Sequence, residues 1–233
     1  VTPDGRPLLW KNRDTDFMQN HIDYVKGEKY NFIAVVNSAN AYLKEAWMGT
    51  NSSGFALMNT QSYNLVDVKG DEERGAANGR VIYRALEVCA TVEDFCHFLD
   101  TISKPSDIEA NFGVIDAQGG AAMFEVDYHK YVMYDANNPK DAPYGYIART
   151  NFSFAGKVNE GAGYVRYMEA DQVLMKASAT GSITPQFIFN DLSRSFRNRM
   201  LDIDLRSGAY NRPQASGWFV DQDFIPRSST SCS

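Results

Sequence analysis

Apolar and polar positions alternate in blocks along the chain, and the period of each block predicts an element. Asn31 to Asn37 (NFIAVVN) and Phe55 to Asn59 (FALMN) are short apolar runs that predict strands, with Asn51-Ser52-Ser53-Gly54 as a turn before the second. From Gly79 the period lengthens: Ile82, Ala85, Leu86 and Cys89 recur at helical spacing. Thr91, with Asp94 three residues on, predicts an N-cap. Val92, Phe95, Cys96, Leu99 and Ile102 then carry a second helix as far as Pro105. Three short strands follow over 111–116, 121–127 and 130–135, with Gln118-Gly119-Gly120 at the first turn. Gly145 to Asn151 (GYIARTN) predicts a further strand. Apolar residues at 164, 167, 168, 174 and 175 predict one helical stripe, and Thr184-Pro185 opens a last helix by N-cap plus proline.

The two ends read differently from the middle. Pro3-Asp4-Gly5 is turn chemistry, and Pro7-Leu8-Leu9-Trp10-Lys11 after it predicts a strand. A hairpin needs two arms of about 5 to 6 residues, and only Val1 and Thr2 precede this turn. The expectation is that a first arm lies upstream of Val1. Ser228 to Ser233 is β-leaning and stops without a capping signal. We therefore expect a single domain over 1–233, incomplete at both ends. Strands, helices, strands and helices in that order predict an α+β fold with helices packed on an antiparallel sheet.

Composition narrows the function classes. The 233 residues are 44% hydrophobic and 22% charged with a net charge of −6, which excludes disorder and a basic nucleic-acid stripe. No run approaches the roughly 18 to 20 apolar residues of a membrane span. Cys89, Cys96 and Cys232 make an odd count without close pairs, so no disulfide framework is expected. His21, His97 and His129 are scattered, and no phosphate-binding or dinucleotide glycine motif is present; no metal or cofactor is expected. Asn51-Ser52-Ser53 and Asn151-Phe152-Ser153 match the glycosylation acceptor pattern, a weak signal at this length. Few cysteines fit the cytoplasm, whereas a leader upstream of Val1 would mean export. The compartment is left open.

Polar residues at strand ends are the candidates for chemistry. Lys11-Asn12-Arg13-Asp14 follows the apolar Leu8-Leu9-Trp10, Asn59 ends Phe55 to Met58, and Asn151 ends the run from Gly145. Taken singly, each reads equally well as a solvated loop, a turn or a cap.

Together these segments resemble the N-terminal-nucleophile amide hydrolases. The branch is that of choloylglycine hydrolases, penicillin V acylases and acyl-CoA:6-aminopenicillanate acyltransferase-like proteins. Leu9 to Asp14 (LWKNRD) is similar to the family's GRNxD-like element, and Gly49 to Ala56 (GTNSSGFA) to its GxNxxGLA segment. Asn59 falls at the family's LN asparagine, Asn111 to Gly120 resembles its DxxG hairpin, and Arg149-Thr150-Asn151 its TN element. The matches run in order over 8–155, and a looser one reaches Arg227.

The resemblance implies a four-layer αββα sandwich of two antiparallel sheets flanked by helices. It also implies amide hydrolysis by an N-terminal cysteine whose own α-amine is the base. An α-amine has an unperturbed pKa of about 7.7 to 8.0, so it is partly neutral at working pH. Carried over by position, Asp14 orients that amine, Lys11 at the family's arginine position favours the thiolate, and Asn59 and Asn151 offer N–H groups to the oxyanion and the substrate amide. Arg166 is a candidate for a further family arginine. No cofactor is implied, the partner is a small acyl amide, and a homo-oligomer is compatible with the family. Val1 is not a nucleophile and no cysteine precedes Cys89, so the cysteine is expected about 6 to 12 residues before Val1, one strand arm away. Thr2, exposed by loss of Val1, is a weaker alternative. Two other outcomes are acyl transfer to an amine acceptor and a non-catalytic binding protein on the same fold. What precedes Val1 discriminates them.

Overall fold

The computed structural model describes residues 2–67, 75–207 and 221–233. After the two-residue β1 (Arg13–Asp14) come β2 (Asn20–Val25), β3 (Phe32–Asn37), β4 (Met48–Asn51) and β5 (Ala56–Gln61). Two helices interrupt the sheet, α1 (Asn78–Val88) and α2 (Val92–Thr101), before β6 (Ala110–Ile115), β7 (Ala121–Val126) and β8 (Tyr131–Asp135). β2 to β8 lie side by side in chain order, each antiparallel to the next. α3 (Tyr164–Ala179) follows, then a helical turn over Pro185–Phe187 that runs into a π-helical turn over Ile188–Leu192. β9 (Arg197–Asn198) pairs with β10 (Ile203–Asp204), and β11 (Thr230–Cys232) pairs with β1.

The local reasons match the pattern. Gly54 takes φ +86° in the turn between β4 and β5, and the buried Asn51 carboxamide ties that turn together by accepting from Ser53 N and Phe55 N. The same side chain donates to the Leu86 and Cys89 carbonyls at the end of α1, so both N–H groups of this acceptor-pattern asparagine are engaged inside the fold. α2 opens on the capping box read from sequence: Thr91 Oγ1 accepts from Asp94 N at 3.0 Å and Asp94 Oδ2 accepts from Thr91 N at 3.2 Å.

One face of the sheet is closed by α1 and α2. The core there is aromatic, with Phe95 edge-on to Phe124 at 5.0 Å and to Phe112 at 5.8 Å. β6 and β7 are buried on both faces nearly throughout, as strands between two layers must be. Over the second face runs residues 7–12, with Leu9 so close to Gly113 that a Cβ there would stand 2.8 Å from its methyl. Leu8 and Trp10 point the other way, into the cluster of Ala170, Leu174, Ile188, Leu192 and Ile225 under α3. The order of layers is helices, sheet, extended segments, helix.

Two predicted strands are corrected. Among the described residues neither 7–11 nor 145–151 forms a ladder; Asn151 makes one isolated bridge to Ala162. Side chains hold the later segment instead. Asn111 Nδ2 donates to the Thr150 and Phe152 carbonyls, and Thr60 Oγ1 to the Thr150 carbonyl. Sequence missed β2, whose apolar Ile22 and Tyr24 are exposed at the sheet edge, and β4, which hides inside the turn signal at Asn51. The stripe predicted for α3 also shifts. Tyr164 and Met168 are exposed, and the buried face is Arg166, Glu169, Ala170, Leu174 and Ala177.

Candidate active site

Lys11 enters the site where the sheet opens. The β4–β5 ladder ends at Met48 opposite Met58, so Asn59 lies one residue beyond it. The Lys11 ammonium fills that opening, donating to the Trp47 carbonyl and to Asn59 Oδ1, each at 2.9 Å. Burial, and then the charge of Arg13, bring the Lys11 pKa down to about 7. Asn59 itself is buried; with its oxygen taken by Lys11, its NH2 group is left as the donor.

Asp14 sits at the β1–β11 ladder. Its Oδ1 accepts from Thr230 Oγ1 at 2.5 Å and its Oδ2 pairs with Arg227 Nε at 3.0 Å, both groups largely shielded from water. Sequence marked Arg227 only as the end of a loose match. Its approach to Asp14 depends on pairing across more than two hundred residues, for which no local pattern exists. Arg13 is buried between Asn37 Oδ1 at 2.6 Å and Asn20 Oδ1 at 2.5 Å, and it lies over the Trp47 ring.

Asn151 is brought to the same place but is fully engaged. Its Nδ2 donates to the Gln61 carbonyl at 2.9 Å and to Thr60 Oγ1 at 3.3 Å, and its Oδ1 accepts from Arg166 at 2.5 Å. Arg166, a buried cation on α3, also donates to the Gln222 carbonyl at 2.6 Å. A buried ion pair anchors the segment: Arg149 Nε meets Glu125 Oε1 at 2.6 Å, and the Glu125 carboxylate also accepts from Phe154 N and Ala155 N.

Lys11, Asp14, Asn59, Asn151 and Arg166 all border one cleft. Its mouth is a polar hollow of about 600 Å³ that also takes in Arg13, Asp223 and Arg227. Behind it lies a smaller space of about 140 Å³ walled by Trp10, Met58, Met123, Ile147 and Leu174. The cleft is thus polar outside and apolar inside. Among the described residues no group of histidines, cysteines and carboxylates could hold a metal ion, and no helix is long and apolar enough to cross a membrane. Cys89 follows the last residue of α1 and Cys96 lies in α2, both on the opposite layer. Cys232 is across the ladder from Arg13, within electrostatic reach of Lys11.

The layers are those of an α+β fold of the kind found in N-terminal-nucleophile hydrolases. A solved structure with this fold is the N-acylethanolamine-hydrolyzing acid amidase ortholog of Caenorhabditis elegans, 14% identical, with a TM-score of 0.51 over 78% of this chain and 82% of that one. The chain belongs to the acyl-coenzyme A:6-aminopenicillanic acid acyl-transferase family, whose model matches residues 1–181. Two further structures are similar at lower scores. A mutant of the conjugated bile acid hydrolase from Clostridium perfringens is 15% identical, with a TM-score of 0.47, over 82% of this chain and 72% of that one. Penicillin V acylase from Agrobacterium tumefaciens is 18% identical, with a TM-score of 0.41, over 74% of this chain and 64% of its own length. No curated protein matches.

Proposed function

We propose that this chain is the body of an amide hydrolase that cleaves linear, non-peptide acyl amides through a thioester. The observation that carries the reading is the convergence of Lys11, Asp14, Asn59 and Asn151 on one cleft with a polar mouth and an apolar back. The acyl group sits against Met58, Met123 and Leu174, and the amine half faces the mouth. The nucleophile is the thiol of an N-terminal cysteine ahead of Val1. Thr2 N donates to the Arg6 carbonyl at 3.0 Å, so a chain entering this turn runs back along residues 7–12 toward Lys11. The α-amine of that cysteine takes the thiol proton, and Asp14, itself braced by Arg227, orients the ammonium that forms. The thiolate attacks the acyl carbon, Asn59 Nδ2 donates to the developing oxyanion, and the amine leaves with the proton. Water then attacks the thioester and the acid departs. Asn151 releases its long bond to Thr60 to meet the substrate amide.

The acyltransferase named for the family favours a second reading, in which an amine replaces water as acceptor. The test is N-terminal sequencing and intact mass on protein expressed from the complete reading frame, followed by a screen of acyl amides. A mature cysteine about 6 to 12 residues before Val1, acylated when substrate is added, supports the reading. A mature chain beginning at Val1 with no acylation refutes it. Labelling that disappears in Cys232→Ser moves the nucleophile to Cys232. Product partitioning with an added amine separates hydrolysis from transfer.

A further inference from the structure

The two edges of the seven-stranded sheet differ. At the β8 edge the outward N–H of Asp135 is taken by Asp141 Oδ2 at 3.0 Å. At the β2 edge, among the described residues, no strand pairs on the outer side. β2 keeps unbroken register with β3 from Asn20 to Val25, and it has no proline, lysine or bulge, the usual protections of an edge. The register also says which way its backbone groups point. Ser38 N donates to the Gln19 carbonyl at 3.0 Å, so His21, Asp23 and Val25 turn their N–H and C=O groups to β3. Those of Asn20, Ile22 and Tyr24 turn outward. The side chains of Ile22 and Tyr24 are 70% and 59% exposed, and Ile33, opposite Tyr24 on β3, is exposed beside them.

We propose that this edge is a contact between two copies of the chain, β2 of one pairing antiparallel with β2 of the other about a two-fold axis at Ile22. Outward groups must meet outward groups, so the axis passes through a residue rather than between two. At Asp23 it would set two carboxylates directly opposite each other, and at His21 two imidazoles. At Ile22 the edge is self-complementary: His21 of each copy meets Asp23 of the other, Ile22 meets Ile22, and Asn20 meets Tyr24. Asn20, Ile22 and Tyr24 then form the hydrogen-bonded pairs, and His21 and Asp23 fall at the closer positions between them. His21 Nδ1 is engaged with Ser38 Oγ at 3.1 Å, which leaves Nε2 for the carboxylate. The pairing consumes the β2 edge of both copies, so it closes as a dimer. It ends beside the cleft, because Asn20 Oδ1 holds Arg13 at 2.5 Å and Arg13 borders the mouth.

The test uses protein expressed from the complete reading frame. Ile22→Cys, His21→Cys and Asp23→Cys are each oxidised mildly and compared with the unaltered chain, whose Cys89, Cys96 and Cys232 set the background. Residues opposite each other in a hydrogen-bonded pair have Cα atoms about 5.5 Å apart, a distance that a disulfide spans. Ile22→Cys is therefore expected to give a covalent dimer, and the other two no more than background. Sedimentation across a concentration series is expected to show a monomer–dimer equilibrium. His21→Asp sets carboxylate against carboxylate twice and should weaken it on the order of tenfold, and adding Asp23→Lys should restore it to within about threefold. His21 and Ile22 are exposed, so their substitution leaves the fold in place. A monomer at every concentration overturns the proposal; slow exchange of its Ile22 and Tyr24 amides would assign the edge to the protein's own chain. A dimer crosslinked through His21→Cys or Asp23→Cys instead of Ile22→Cys, or one indifferent to His21→Asp, overturns the pairing as well.

Discussion

At the scale of the residue, Lys11 concentrates the physics of the site. Its ammonium is partly buried, beside Arg13, and held by two neutral oxygens. In the folded chain it keeps its proton only up to about pH 7, whereas an unfolded lysine keeps it to about 10.4. Between these values the unfolded chain binds more protons, so stability rises with pH across the window, and the penalty is complete below 7. Lys11→Met removes the titrating group. The variant's stability relative to the unaltered chain is therefore expected to be most favourable at pH 6 and to decline toward pH 10, read from urea midpoints. A difference that ignores pH would mean the ammonium is not buried. Asn59 supplies the second prediction. With its oxygen held by Lys11 it presents only donors, so Asn59→Ala should lower kcat on the order of 10² to 10³ while KM moves little. Steady-state kinetics on any hydrolysed amide checks this, and an equal rise in KM would assign Asn59 to ground-state binding.

At the scale of the element, α2 shows what sequence can state outright. Its capping box, its apolar period and its length were all local, and Phe95 and Leu99 are wholly buried as the period requires. Thr91→Ala should cost about 1 kcal/mol, measured as a shift of the denaturant midpoint with unchanged slope. A loss under a few tenths would show that the Asp94 contacts to Ala90 N and Thr91 N carry the cap unaided. The sheet's central strands were legible for the same reason, since apolar runs between turns need no distant partner to be recognised. α3 was misread because its buried face holds Arg166 and Glu169, and a charge on a helix looks like solvent until its partners are known. Those partners, Asn151 and Gln222 for one and Ser195 and Arg199 for the other, come from remote parts of the chain. The site followed the same division. Lys11, Asp14, Asn59 and Asn151 could be placed from segments matching a family, whereas the Arg227–Asp14 pair and the Arg166–Asn151 clamp exist only in three dimensions.

At the scale of the whole molecule, the sheet has one face closed by a dense aromatic core and another covered by segments that form no ladder among the described residues. Local opening should follow that asymmetry, because amides in a ladder exchange only when the ladder breaks. β5, β6 and β7 are paired on both sides and largely buried, so their amides should report the global unfolding free energy. Residues 8–12 make no ladder among the described residues, and their amides should exchange far faster in the chain that starts at Val1. The proposed function changes this expectation in one place. A strand arm that ends in the nucleophilic cysteine and enters the turn at Thr2 must run antiparallel to residues 7–12, giving their amides partners. Hydrogen exchange read by mass spectrometry should therefore show residues 8–12 slowed on the order of tenfold or more in protein carrying that arm. The rates in β6 and β7 should rise or fall only with overall stability. Protection confined to 8–12 would place the cysteine beside Lys11, where its thiol meets Asn59. Unchanged exchange there would mean that the upstream chain goes elsewhere, and the thioester mechanism would lose its nucleophile.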